Sequence, residues 1–189
     1  ENLLMAATLA EGETQLLNVA VEPEIEDLAN CLVKMGSVID GIGTQTLSIE
    51  GQSNLSGTNF TVMSDRIEAG TYAIAAAITG GTIEIIGAKS QHLESLLTKL
   101  KESGVTIKET SNGIKVTGCG SLSTLNITTG PYPHFPTDLQ AQIMVLMSMA
   151  KGKSELTETI FENRFMHVPE LMRMGADIQL RGRTAIING

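Results

Sequence analysis

The sequence predicts an α/β fold built from three repeated β-α-β-α-β-β units, with buried helices inside and sheets outside. Three observations carry this. The same frame recurs three times in 189 residues: an apolar helix, a glycine, a strand, a second helix, a glycine, and two short strands closing on glycine. Equivalent glycines stand at Gly12, Gly81 and Gly152, at Gly36, Gly104 and Gly175, and at Gly51, Gly118 and Gly189. Their spacing of 67–71 residues is too long for the short solenoid repeats. The first helix of each copy is apolar all round, which marks a helix buried on every side. The segments TLSIEG, TIEII and GIKVTG alternate and end at turns, as strands do. Crossover connections favour parallel pairing within a unit, followed by a closing hairpin.

Taken in order, copy one opens with MAATLAEG at residues 5–12, an apolar helix ending on Gly12. Pro23 suits the first turn of its second helix, which runs to Gly36. In copy two, Ser64-Asp65 opens the helix, with Asp65 as cap and Glu68 three residues on. Gly80-Gly81 turns that helix into a strand. The following helix is amphipathic, with Leu93, Leu96, Leu97 and Leu100 on one face and Glu94, Lys99 and Lys101 on another. Copy three starts after PYPHFP, a stiff stretch expected to be extended. Thr137-Asp138-Leu139-Gln140 reads as a capping box, with Thr137 as cap and Gln140 reaching back. Pro169 suits the start of a short helix ending at Gly175.

Composition narrows the function classes. A hydrophobic content of 42% supports a real core, and 3% aromatics with no Trp leave its packing to aliphatics and Met. Six of the nine Met fall between Met144 and Met174, where core filler is the plain reading. A net charge of −8 argues against an electrostatic grip on nucleic acid or an anionic membrane. No run is apolar enough to span a bilayer, and no signal-peptide pattern is present. Cys31 and Cys119 lie in different copies and suggest no disulfide framework. A cytosolic location fits. The chain begins in mid-helix without Met and ends on a strand, so it reads as an internal piece of a longer protein.

Copy three carries polar residues that the repeat frame does not need. Asp138 falls in a first helical turn, where free N–H groups favour its ionised form. Such a carboxylate can accept a proton from a hydroxyl; the plainer alternative is a helix-start Asp. Arg164, between Phe161 and Phe165, offers a planar fork for phosphate or carboxylate, or an ion pair with Glu162 or Glu170. Asn163 suits a turn, Arg66 an ion pair with Asp65 or Glu68, and Glu22 and Glu24 a helix start. His92, His134 and His167 lack the spacing and Cys partners of a metal site. There is no phosphate-cradling Walker loop and no dinucleotide fingerprint.

FPTDLQAQ at 135–142 and ETIFENRFMHVPELMRMGA at 158–176 closely resemble the UDP-N-acetylglucosamine 1-carboxyvinyltransferase family, the UDP-N-acetylglucosamine enolpyruvyl transferases. AATLAEG at 6–12, EPEIEDLAN at 22–30 and DRIEAGTY at 65–72 are similar to the same family. The resemblance implies the enolpyruvyl transferase inside-out α/β barrel, with two domains of three units each. It places residues 1–63 as the last unit of one domain and 64–189 as two units of the other. It implies transfer of enolpyruvyl from phosphoenolpyruvate to the 3-hydroxyl of UDP-N-acetylglucosamine, with release of phosphate, opening peptidoglycan synthesis. No metal or organic cofactor is implied, and the substrates are the two expected partners.

By motif, Asp138 resembles the aspartate at the sugar hydroxyl and Ile160 a backbone contact to the sugar nucleotide. Arg164 resembles the cleft arginine. The family's loop cysteine, its Lys-Asn pair and several arginines fall outside this sequence, and neither Cys31 nor Cys119 matches that cysteine. Tyr132 and His134 depart from the family pattern. The piece alone is therefore expected to be inactive and to self-associate through uncovered apolar surface. Two alternatives remain. One is a non-catalytic repeat module that binds a sugar nucleotide or a protein. The other is the sister shikimate 3-phosphate enolpyruvyl transferase.

Overall fold

The computed structural model describes all 189 residues, which divide into two compact units, Glu1–Met63 and Ser64–Gly189. The first holds α1 (Asn2–Ala7), β1 (Glu13–Leu17), α2 (Pro23–Lys34), β2 (Val38–Asp40) and β3 (Thr46–Glu50). Pro23 occupies the first turn of α2, with Glu24 and Glu26 near its start and Lys34 at its end, which suits the helix dipole. Leu4, Ala7, Ala29, Leu32, Ile39, Leu47 and Ile49 form the core. The buried-type helix α1 is partly uncovered, as expected of this first copy: it covers Leu4 and Ala7, and Leu3 is 71% exposed.

The second unit begins with α3 (Arg66–Thr79), β4 (Thr82–Ile86), α4 (Glu94–Glu102), β5 (Thr106–Glu109) and β6 (Gly113–Thr117). It continues with β7 (Asn126–Thr128), a 3-10 turn at Thr137–Leu139, α5 (Gln140–Met149), β8 (Lys153–Thr157), α6 (Val168–Arg173), β9 (Asp177–Arg181) and β10 (Thr184–Asn188). The Asp65 carboxylate caps α3, accepting from the N–H groups of Ile67 (2.7 Å) and Glu68 (3.0 Å). In α4, Leu96, Leu97 and Leu100 are buried.

The strand pairing differs from the parallel arrangement expected. The sheets run β1-β3-β2, β4-β6-β5 and β7-β8-β10-β9. In each copy the last strand inserts between the two before it and is antiparallel to both. The closing hairpin puts the last strand beside its predecessor, and its free edge then takes the earlier strand. Only β7 with β8 forms a parallel ladder, because the opening strand of the unit is present in the third copy alone.

The glycine landmarks acquire a physical meaning. In the three copies the N–H of the closing glycine donates to the carbonyl of the opening one: Gly51 to Gly12 (2.9 Å), Gly118 to Gly81 (2.8 Å) and Gly189 to Gly152 (3.1 Å). A side chain at Gly51, Gly118 or Gly189 would collide with backbone at or just past the end of the first helix of its copy, at Ala10, Ala76 or Ala150. The helix-end glycines Gly36, Gly104 and Gly175 share a φ of 102–105°, which L side chains rarely adopt.

The core of the second unit lies where α3 and α5 pack together. Leu139, wholly buried, seats the 3-10 turn against α3 at Gly70, where a side chain would be too close to it. This contact fixes the segment that carries Asp138.

Candidate active site

Three chain segments meet at the C-terminal end of β7 and β8. The PYPHFP stretch is not extended. It folds into a turn in which His134 N–H donates to Pro131 O (2.9 Å), and Phe135 returns to pair beside Thr129. The turn at Thr137–Leu139 follows, and the loop 158–167 leaves β8 on the other side.

The organiser of this corner is a residue that the motif reading did not single out. Along β8, burial alternates, with Ser154 and Leu156 buried, and the next residue in that register is Glu158, 1% exposed. Its carboxylate accepts five hydrogen bonds. Oε1 takes Thr129 Oγ1 (2.9 Å), Ile160 N–H (2.7 Å) and Phe161 N–H (3.2 Å). Oε2 takes Thr137 Oγ1 (2.7 Å) and Gln140 Nε2 (3.1 Å). Burial alone would push its pKa up. The hydrogen bonds from Thr137, Ile160, Thr129 and Phe161 outweigh burial and hold it below the usual glutamate value. Period-two register was the signal that could have found it, since a carboxylate on the buried face of a strand needs donors.

This network corrects the capping box. Neither the 3-10 turn nor α5 has a side-chain cap; Thr137 and Gln140 both turn to Glu158 instead. A buried charge outcompetes a local capping bond, because a charged acceptor forms the stronger hydrogen bond.

Asp138 and Arg164 are brought together. Arg164 Nη2 lies 2.6 Å from Asp138 Oδ1, and the guanidinium stacks 5.0 Å from the Phe161 ring centre. Arg164 pairs with neither Glu162 nor Glu170; Glu170 pairs with Arg173 (2.8 Å). The side chains of Arg164 and Asp138 are 36% and 53% exposed, so the pair contributes little to stability. Ile160 sits at the base of the loop, its N–H committed to Glu158. His167 packs behind the loop. Burial, then the neighbouring Arg164 charge, holds its pKa below the usual histidine value, and its Nε2 is buried without a partner. Arg66 is buried near the Tyr132 ring, 5.7 Å from its centre. No group of three His, Cys, Asp or Glu side chains could hold a metal ion.

An exposed Asp–Arg pair thus stands on a buried polar base inside a glycine-stitched α/β repeat. The fold is that of the enolpyruvyl transferases. The enolpyruvyl transferase NikO from Streptomyces tendae matches with a TM-score of 0.88 at 22% identity, over 98% of this chain and 45% of that one. An EPSP synthase from Acinetobacter baumannii matches with a TM-score of 0.52 at 18% identity, over 98% of this chain and 43% of that one.

The chain belongs to the EPSP synthase (3-phosphoshikimate 1-carboxyvinyltransferase) family, whose model matches residues 1–189. Among its relatives, the UDP-N-acetylglucosamine 1-carboxyvinyltransferase of Paramagnetospirillum magneticum is 58% identical over 190 residues. That of Sphingopyxis alaskensis is 55% identical over 189 residues. Each match covers 100% of this chain and 44% of the relative, so the chain spans less than half the length of these proteins.

Proposed function

We propose that these residues form part of a cytoplasmic UDP-N-acetylglucosamine 1-carboxyvinyltransferase of peptidoglycan synthesis. The observation that carries this reading is the Asp138–Arg164 pair, set in a chain 58% identical to a protein of that name. In this reading residues 1–63 are the last unit of one domain, and 64–189 are two units of the other.

Asp138 acts at the sugar 3-hydroxyl. Arg164 engages Oδ1, leaving Oδ2 to accept the hydroxyl proton. The sugar oxygen then bonds to C2 of phosphoenolpyruvate while C3 gains a proton, giving a tetrahedral intermediate. Loss of a proton from C3 and cleavage of the bond from C2 to the phosphate oxygen restore the C2–C3 double bond, release phosphate and leave the enolpyruvyl ether. Arg164 presents a fixed cation beside the reacting groups. With its N–H taken by Glu158, Ile160 offers its carbonyl to the sugar nucleotide.

In a second reading, favoured by the name of the matching family model, the acceptor is shikimate 3-phosphate. The complete protein incubated with phosphoenolpyruvate and each acceptor separates the two. Phosphate release with UDP-N-acetylglucosamine alone is expected. Turnover only with shikimate 3-phosphate would reverse the assignment, and none with either would leave a binding module. The 189-residue chain by itself should release no phosphate, since one exposed Asp–Arg pair cannot neutralise two anionic substrates.

A further inference from the structure

We propose that Glu158 is a positioning residue, tying the Asp138 turn to the Ile160–Arg164 loop through a single buried carboxylate. The proposal rests on the reading of Asp138 and Arg164 given above and deepens it.

The geometry is that of a clamp. Oε2 holds Thr137, the residue directly before Asp138, and Gln140, the first residue of α5. Oε1 holds the N–H groups of Ile160 and Phe161, and Phe161 is the ring on which Arg164 stacks. Two segments at least twenty residues apart in sequence are thus set by the two oxygens of one group. Thr129 fills the remaining space and locks the loop a second time. Its Oγ1 donates to Glu158 (2.9 Å) and accepts from Thr159 N–H (3.0 Å), and its carbonyl accepts from Thr159 Oγ1 (2.6 Å).

The fold itself does not require this carboxylate. The landmark glycines Gly12, Gly81 and Gly152 align Glu158 with Asn18 and Gly87 in the other copies. Those two residues follow the equivalent strand, exposed and in a left-handed turn with φ of 55° and 79° that Glu158 does not share, and neither carries a buried charge. Burying a carboxylate at 1% exposure is costly unless every lone pair is met. Copy three bears that cost only where Asp138 and Arg164 are built. Three of the five partners, the N–H groups of Ile160 and Phe161 and the Gln140 amide nitrogen, can only donate, so the network suits the ionised form.

The test uses the complete protein and isolates one arm of the clamp. Thr137→Val keeps the shape but removes the hydroxyl; Thr137→Ser keeps the hydroxyl. We expect Thr137→Val to lower kcat about 10-fold or more, with KM for the sugar nucleotide moving less than about 3-fold, since small misplacements of reacting groups cost this much. Thr137→Ser should restore kcat. Glu158→Gln should behave as Thr137→Val does. The Thr137→Val effect should shrink to under about 2-fold when Asp138 is already Asn, because that arm has nothing left to position, and the Glu158→Gln effect should shrink in part, since its other oxygen also sets the Arg164 loop.

A Thr137→Val or Glu158→Gln loss that persists in full in the Asp138→Asn background would overturn the proposal, as would unchanged kcat in both variants. Should Glu158→Gln fail to fold, the Thr137 pair decides alone. If Asp138→Asn by itself leaves kcat intact, the site reading fails, and the positioning role falls with it. A large Asp138→Asn effect with additive Thr137→Val overturns the clamp only.

Discussion

Replacing Asp138 by Asn separates chemistry from stability at this site. The carboxylate is 53% exposed and makes a single charged contact, with a guanidinium that is itself 36% exposed. Exposed pairs of this kind contribute about 0.2–1 kcal/mol. Arg164 left without its partner stays hydrated and keeps the Phe161 ring. The turn does not depend on Asp138 either, since Leu139 anchors it in the core and Thr137 ties it to Glu158. The stability cost is therefore at most about 1 kcal/mol, a shift of roughly 2–4 °C in Tm for a domain of 150–250 residues. Loss of a general base costs on the order of 10²–10⁴-fold in rate. In the complete protein, kcat from a phosphate-release assay should fall within that range while the calorimetric Tm moves by a few degrees. Normal turnover with a clear drop in Tm would show that Asp138 only supports its helix start, and would refute the argument.

Other outcomes follow from the same structure. With the pKa of folded Glu158 depressed, its contribution to stability is complete above the unfolded glutamate value of about 4.3 and is lost as pH falls through the lower folded value. His167, also depressed, adds a loss in the same direction that begins below about 6.5, where the unfolded chain takes up its proton first. Urea midpoints measured from pH 7 to about pH 3 should fall, and Glu158→Gln should flatten the part below about pH 4.3 alone. Gly118→Ala should destabilise by about 1–3 kcal/mol in chemical denaturation, because the new methyl would meet the backbone at Ala76 and Gly80, which cannot rotate away. The isolated chain, with Leu3 at 71% and Leu9 at 58% exposure, should associate in sedimentation experiments. A strictly monomeric chain would count against that expectation.

The repeat was legible because its signals are local. The same short apolar helix, helix-end glycine and closing glycine recur at fixed spacing, and each has a backbone cause that any copy must satisfy. Asp65 as cap and Pro23 in a first turn were readable for the same reason. What failed was non-local. Thr137 and Gln140 match a capping pattern, but their partner is Glu158, 21 and 18 residues away. Arg164 has acidic neighbours at Glu162 and Glu170, yet its partner is Asp138, 26 residues back. Strand order failed likewise, since insertion of the last strand depends on which edge the closing hairpin leaves open.

The two carboxylates of this corner show how the third copy departs from the frame it shares. Glu158 and Asp138 lie on segments joined through Thr137 and Gln140, yet they are opposites physically. Glu158 is sealed from water and saturated with donors, so its charge can do nothing but hold geometry. Asp138 is open to solvent and tied at one oxygen only, so its charge adds little to stability and remains available to a ligand. The first two copies, with Asn18 and Gly87 at the equivalent corner, have neither the buried anchor nor the reason for one. A repeat that needed a carboxylate for folding would keep it in every copy. On the proposed reading of the site, its confinement to the copy that presents Asp138 and Arg164 is what a rigid base for that exposed pair calls for.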